Sequence, residues 1–140
     1  MDRRTARSLI EQLNRDGEQI ARHFGLRYRS ITAERANVTS RYGACFDDGT
    51  IKIRLRHAVT GEPLKYSSLV NTLCHELAHL RYFNHGERFK LFYQQILEFA
   101  RAQRLYRPGQ PTAGSPARGR RPPATREPEA PTGPVQLALF

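Results

Sequence analysis

The stretch Cys74-His75-Glu76-Leu77-Ala78-His79, followed by Asn84-His85-Gly86, contains His-Glu-x-x-His and a third histidine six residues later. On a helix, residues four apart lie nearly one above the other, so His75 and His79 present two imidazoles on one face. This spacing is typical of a helix that holds one zinc ion. The alternative is an ordinary amphipathic helix with solvated histidines. The metal site is favoured because unpartnered polar groups are costly in an apolar run, here Leu69, Val70, Leu73, Leu77 and Leu80.

Glu76 lies one residue round from His75, at the edge of the same helix face. A carboxylate there reaches a water on the metal without being a ligand itself. Zinc lowers the pKa of such a water to about 7, so a nearby carboxylate can take its proton at neutral pH. The pattern therefore predicts amide hydrolysis, with Glu76 as general base and then as proton donor to the leaving amine.

The third ligand requires the helix to end. If the helix continued, His85 would lie about 240° round the axis from His79 and would point away from the metal. Asn84 and Gly86 are residues that tolerate the left-handed conformation found at helix ends, so a break there is predicted. His85 then returns to the metal and leaves a fourth position open for water. Glu87 is the alternative third ligand, since carboxylates also bind zinc.

The length of 140 residues suits one domain with an extension, and the net charge of +10 favours a polyanionic partner such as nucleic acid. No apolar run is long enough to cross a membrane and no signal core follows the N-terminus, which predicts a cytoplasmic protein. Cys45 and Cys74 do not make a disulfide framework. Cys74 points about 100° away from its neighbour His75, so it is interpreted as a buried side chain.

Hydrophobic periodicity predicts an α+β domain over residues 1–106, with an antiparallel sheet packed on three helices. Ser67 or Ser68 is the expected cap of the helix that carries the histidines. The predicted helices cover 5–24, 67–83 and 87–106, and the predicted strands cover 26–31, 38–46 and 51–56, with a hairpin turn at 47–50.

The last predicted strand alternates strictly between apolar and basic residues. Ile51, Ile53 and Leu55 are expected to face the core, and Lys52, Arg54 and Arg56 are expected to face outward. This outward row is a candidate DNA-phosphate site, with an ordinary solvated face as an equally good interpretation.

The composition changes at Arg107. Residues 107–134 contain eight of the nine prolines and almost no large apolar side chains, which predicts a disordered Pro/Arg-rich linker. Residues 135–140 are apolar again. An apolar hexapeptide at the end of a solvated tether favours a docking peptide over a strand that folds back onto the domain.

Residues 51–93 resemble the WLM and SprT/Spartan-like metallopeptidases, through Ile53-Arg54-Leu55-Arg56, the His-Glu-Leu-Ala-His helix and His85-Gly86-Glu87-Arg88-Phe89. The resemblance implies a small zincin-like domain with the His-Glu-x-x-His helix at its centre. It implies one zinc ion held by His75, His79 and His85, with Glu76 catalytic. It also implies a minimal protease, since eukaryotic relatives degrade proteins crosslinked to DNA.

The spacing of the third histidine is closer to the WLM type than to SprT proteins proper. Metzincins share the six-residue step but carry a glycine where this chain has Tyr82, and they need a methionine turn. The only methionine here is Met1, so a metzincin is excluded. Tyr66 and Tyr82 are the tyrosines considered for stabilising the oxyanion.

The C-terminal residues Gln136, Leu137, Leu139 and Phe140 are similar to the peptide by which bacterial polymerases and repair proteins dock on the DNA sliding clamp. Glutamine fixes the register by hydrogen bonds, and leucine and phenylalanine fill an apolar pocket. The similarity implies a bacterial or phage protein.

Together these features predict a monomeric, nucleoid-associated zinc endopeptidase that acts on DNA-associated or DNA-crosslinked proteins while tethered to the clamp. One alternative is a general cytosolic metallopeptidase without DNA specificity. The other is a clamp adaptor without enzymatic activity, whose metal is structural. The adaptor is disfavoured because structural zinc sites usually have four protein ligands, and only three are convincing here unless Cys45 approaches.

Overall fold

The computed structural model describes residues 1–109, which form three α-helices and one small three-stranded sheet. The predicted α+β class and the three helices are confirmed. The predicted linker, apart from residues 107–109, and the clamp-binding peptide lie outside the described residues. The elements are α1 (Arg3–Phe24), β1 (Ser30–Ala33), β2 (Gly43–Cys45), β3 (Thr50–Ile53), α2 (Tyr66–His79) and α3 (Glu87–Ala102).

Helix α1 begins after Asp2, whose carboxylate accepts a hydrogen bond of 2.9 Å from the Thr5 amide. The helix ends at Gly25, which adopts the left-handed conformation at φ 69° that favours glycine. Gly17, in the middle of α1, is buried where Ile31 and Leu73 approach the helix. This close approach leaves no room for a Cβ atom, which explains why a glycine lies here although glycine weakens a helix.

The sheet is mixed rather than wholly antiparallel, so this part of the sequence prediction is wrong. β3 is the central strand, with β1 parallel on one side and β2 antiparallel on the other. The chain leaves β1 and crosses to the far edge to form β2. It then turns back through the hairpin at Asp48 and Gly49, which inserts β3 between its two partners.

The strands are shorter than predicted, because backbone groups that flank them bond to loops and to helix ends. Leu26, the first residue of the predicted strand, donates its amide to the Ala21 carbonyl at the end of α1 (2.8 Å). Arg56 forms only an isolated bridge with Pro63. Ile51, Ile53 and Leu55 are all buried as predicted, and the alternation is broken only at Arg54, which is buried as well.

Arg54 contradicts the predicted outward row. It is only 7 % exposed and lies over the Tyr42 ring at 4.3 Å. Its guanidinium donates to the carbonyls of Thr39 (2.9 Å), Arg41 (3.1 Å) and Arg56 (3.1 Å). Because β3 has ended at Ile53, this side chain turns inward and satisfies loop carbonyls that would otherwise be buried without donors.

Helix α2 lies at the centre of the domain, packed between α1, α3 and the sheet, as predicted. Its apolar residues are fully buried: Leu69, Val70, Leu73, Cys74, Leu77 and Ala78. Within residues 1–109, no helix is sufficiently long and apolar to span a lipid bilayer.

Candidate metal centre

Helix α2 ends at His79, four residues earlier than predicted. The last turn is closed by amide bonds from Leu80 to Leu77 and from Arg81 to Ala78, both 3.1 Å. The helix begins after Lys65, which makes no side-chain cap, so the predicted serine cap is also wrong.

The helix break was assigned to the wrong conformation. Gly86 has φ −82° and serves as the N-cap of α3. Among residues 1–109, Arg104 is the only non-glycine residue with positive φ, so Asn84 is not left-handed. The predicted consequence nevertheless appears, because residues 80–86 form a loop that brings His85 back toward His79.

Three imidazoles converge at the end of α2. One nitrogen from each of His75, His79 and His85 lies within 4.8 Å of the others, and the Nε2 atoms of His79 and His85 are 3.1 Å apart. His75 and His79 are buried, and His85 is half-buried. Glu87, the alternative ligand, is exposed on the first turn of α3 and is not part of this cluster. Cys74 is fully buried and also lies outside the cluster.

Hydrogen bonds orient two of the rings toward the centre. The Tyr82 carbonyl accepts a bond of 3.0 Å, so His79 Nδ1 carries the proton and Nε2 keeps its lone pair. His75 Nδ1 lies 3.3 Å from Glu76 Oε2, which leaves His75 Nε2 on the opposite side of the ring. Burial lowers the pKa of both His75 and His79 to about 4, which keeps the imidazoles in the neutral form that binds metals.

Phe89 of α3 packs against all three histidines. Its ring stacks on His79 at 4.5 Å and meets His75 and His85 edge-on at 5.1 and 4.9 Å. Phe89 is 3 % exposed, which confirms its predicted place in the core. Its contact with the cluster was not predicted, because His85 lies in the loop before α3 and helical spacing does not relate the two residues.

Glu76 is 1 % exposed, and its Oε1 atom has no hydrogen-bond partner. Burial raises the pKa of this carboxyl to about 8, against the opposing charges of His79 and Arg41. Its Oε2 atom lies near Gly43 of β2, where a Cβ atom would come within 3.2 Å of it. A divalent cation at the three imidazoles would compensate such a buried carboxylate. The side chains present therefore fit a metal site with three histidines and an adjacent acid.

A cleft of about 410 Å³ opens beside His79. It is bordered by the β2–β3 hairpin on one side and by the loop after α2 on the other. Its wall combines apolar and charged side chains, among them Phe46, Phe83, Arg27 and Asp47. Among the three histidines of the cluster, His79 is the one that lines this cleft.

The three predicted DNA-binding residues do not form one exposed row. Arg54 is internal, whereas Lys52 and Arg56 are half-buried. Arg56 also donates to the Met1 carbonyl at 3.4 Å. DNA binding by Lys52 and Arg56 stays a prediction, and for Arg54 the burial argues for a structural role.

Two kinds of comparison identify relatives. The family model described as WLM domain matches residues 5–128. Crystal structures of Wss1 have the same fold: that from Saccharomyces cerevisiae is 17% identical, with 74% of this chain and 84% of that chain covered and a TM-score of 0.66. Wss1 from S. pombe is 22% identical, with 71% and 86% covered and a TM-score of 0.61. No curated protein sequence matches significantly. Because the family model spans most of its length, this chain belongs to the WLM-domain family.

Proposed function

We propose that this protein is a zinc-dependent endopeptidase that acts on DNA-associated or DNA-crosslinked proteins. The observation that carries the proposal is the convergence of His75, His79 and His85 beside the buried, unpartnered oxygen of Glu76. This donor set in a WLM-domain fold is the one that the sequence resemblance associates with peptide hydrolysis. The cleft beside His79 supports the proposal, since it leaves space for a substrate next to one of the three histidines.

The three histidines would hold one zinc ion, which supplies a Lewis acid and lowers the pKa of water when bound. Glu76 takes one proton from the attacking water as the oxygen bonds to the peptide carbonyl carbon. The same carboxyl then delivers that proton to the amide nitrogen as the C–N bond breaks. The products are a carboxyl group and an amine.

Features outside the metal centre are proposed to bring the enzyme to DNA. A net charge of +10 favours salt-sensitive binding to DNA in the nucleoid, and Lys52 and Arg56 are the candidate phosphate contacts. We propose that Gln136, Leu137, Leu139 and Phe140 bind the bacterial sliding clamp. A tether raises the local concentration of a monomeric cytoplasmic enzyme at its target without new active-site contacts.

Cleavage of a model protein crosslinked to DNA tests the enzymatic proposal. Zinc-loaded protein is expected to cut this substrate, and to cut it faster than the same protein free of DNA, because DNA binding concentrates enzyme and substrate together. Gel analysis of both reactions over a series of salt concentrations measures the difference. Equal cleavage with and without DNA would indicate a general peptidase, and the absence of cleavage would remove the enzymatic proposal.

A chain that ends at Pro134 tests the tether. This truncation is expected to abolish binding to a bacterial sliding clamp, measured by surface plasmon resonance, because it removes the whole apolar hexapeptide. Peptidase activity on a substrate free of DNA should stay at the full-length level. Unchanged clamp binding would show that the hexapeptide is not the docking segment. Loss of clamp binding from a protein that never cleaves would instead favour the adaptor.

A further inference from the structure

A pair of polar side chains, Asn71 and Tyr93, flanks the metal centre and is used by none of the roles assigned above. Asn71, His75 and His79 are spaced by four residues on α2, so they form one stripe along the helix. Tyr93 lies on α3, one turn after Phe89, and its hydroxyl donates to Asn71 Oδ1. This contact places the hydroxyl on the stripe of the metal ligands, one turn from His75.

The ring of Tyr93 is held against the cluster itself. Its centroid lies 5.3 Å from that of His75 with the two planes at 84°, and 5.8 Å from that of Phe89. Asn71 and Tyr93 are both half-buried, so part of each residue is exposed to solvent. A ring fixed by these contacts holds its hydroxyl in one place, as a preorganised donor requires.

The tyrosines suggested by sequence lie elsewhere. The Tyr66 hydroxyl donates to Asp16 Oδ2 at 2.6 Å and ties the start of α2 to α1. The Tyr82 ring packs edge-on against Phe92, 5.8 Å away. Of these three tyrosines, Tyr93 is the one whose ring contacts a histidine of the cluster.

We propose that Tyr93 is a further catalytic residue, whose hydroxyl donates a hydrogen bond to the carbonyl oxygen of the scissile peptide, with Asn71 as its positioning residue. This inference rests on the proposed peptidase function. As water adds to the carbonyl carbon, the C=O electron pair moves onto oxygen, and the hydroxyl stabilises that charge. No proton leaves Tyr93, so the proton transfers by Glu76 are unchanged.

Asn71 accounts for how the hydroxyl is held and released. In the free enzyme its Oδ1 accepts a hydrogen bond from the Tyr93 hydroxyl. A half-rotation of the amide group presents Nδ2 to the phenolic oxygen instead, because the amide has a donor at one end and an acceptor at the other. The phenol then stays anchored while its own hydrogen points to the substrate.

The first test is steady-state cleavage of a protein substrate by Tyr93→Phe in the full, zinc-loaded chain. We expect kcat to fall by about 100-fold with KM little changed, because an oxyanion donor acts mainly in the transition state. Tyr66→Phe is the matched control, since it removes a tyrosine hydroxyl that is bonded to Asp16, outside the cluster. Asn71→Ala should fall between the wild type and Tyr93→Phe.

The second test does not depend on turnover. A phosphinic peptide, whose tetrahedral phosphorus carries an oxygen in place of the oxyanion, should bind Tyr93→Phe more than tenfold more weakly than wild type by calorimetry. Zinc content and metal-free thermal unfolding should match the wild type. Wild-type affinity for this analogue in a folded Tyr93→Phe variant would overturn the proposal. Loss of zinc from the variant would also overturn it, by showing a packing role.

The two proposals fail differently. A wild-type protein that cleaves nothing removes the proposed peptidase function, whereas weaker analogue binding by Tyr93→Phe would still support the hydroxyl as an anion donor at the cluster. A wild-type protein that cleaves, with Tyr93→Phe equally active, keeps the peptidase and removes Tyr93.

Discussion

Replacing Glu76 by glutamine is expected to lower the rate of peptide cleavage by about 10²–10⁴-fold, the usual contribution of a general base. Glutamine has the size of glutamate and fits the same space between Gly43 and His75. It cannot accept a proton from water at neutral pH. The loss should therefore appear in kcat, while zinc content, measured by atomic absorption, stays at one ion per chain.

Glu87→Gln is the matched control for this experiment. This substitution makes the same chemical change, but Glu87 is exposed on the first turn of α3 and lies outside the cluster. Its rate should equal that of the wild type. A Glu76→Gln protein that retains zinc and full activity would exclude Glu76 as the base. A variant that loses both zinc and its fold would indicate a structural role for the buried carboxyl.

The part of the site that could be predicted from sequence is the part fixed by local geometry. His75 and His79 lie one turn apart on one helix, with Glu76 beside them, so the common face of the two histidines and the acid at its edge follow from the helical repeat alone. The convergence of His85 followed from a single further condition, that α2 ends before it. The position of Asn71, four residues before His75, carried the same kind of signal and was not used.

The exact end of α2 could not be predicted, because contacts distant in sequence determine it. Arg81 donates to the Phe24 carbonyl at 2.7 Å and lies over the Phe92 ring at 4.4 Å. These contacts with the end of α1 and with α3 hold the chain off the helical path directly after His79. Asn84 and Gly86 therefore predicted the right outcome, a helix that ends before His85, for the wrong reason.

The sheet was predicted less well than the helices for a related reason. A strand's partner and direction depend on the path of the chain through the whole domain, which the local pattern of Ser30–Ala33 does not contain. The alternation of apolar and basic residues through Arg54 likewise predicted a row of exposed basic side chains. Only the carbonyls of the neighbouring loop explain why this guanidinium is buried.

Replacing His85 by alanine is expected to weaken zinc binding by more than about 100-fold, since even residues that only orient a ligand contribute 10–100-fold. At saturating zinc, a 100-fold loss of affinity lowers the stabilisation of the folded state by about 2.7 kcal/mol. Competition with a fluorescent chelator measures the affinity, and thermal unfolding with and without zinc measures the stabilisation.

Glu87→Ala distinguishes the two candidates for the third ligand. Glu87 is exposed on the first turn of α3, and His85 lies in the loop before it and is only half-buried, so neither substitution leaves a cavity in the core. The metal-free variants should therefore unfold at the wild-type temperature. Glu87→Ala should bind zinc as the wild type does, because the three imidazole nitrogens already lie within 4.8 Å of one another without it. If Glu87→Ala lost zinc while His85→Ala retained it, the carboxylate would be the ligand, and the proximity of His85 Nε2 to His79 Nε2 would have to be explained as packing against Phe89.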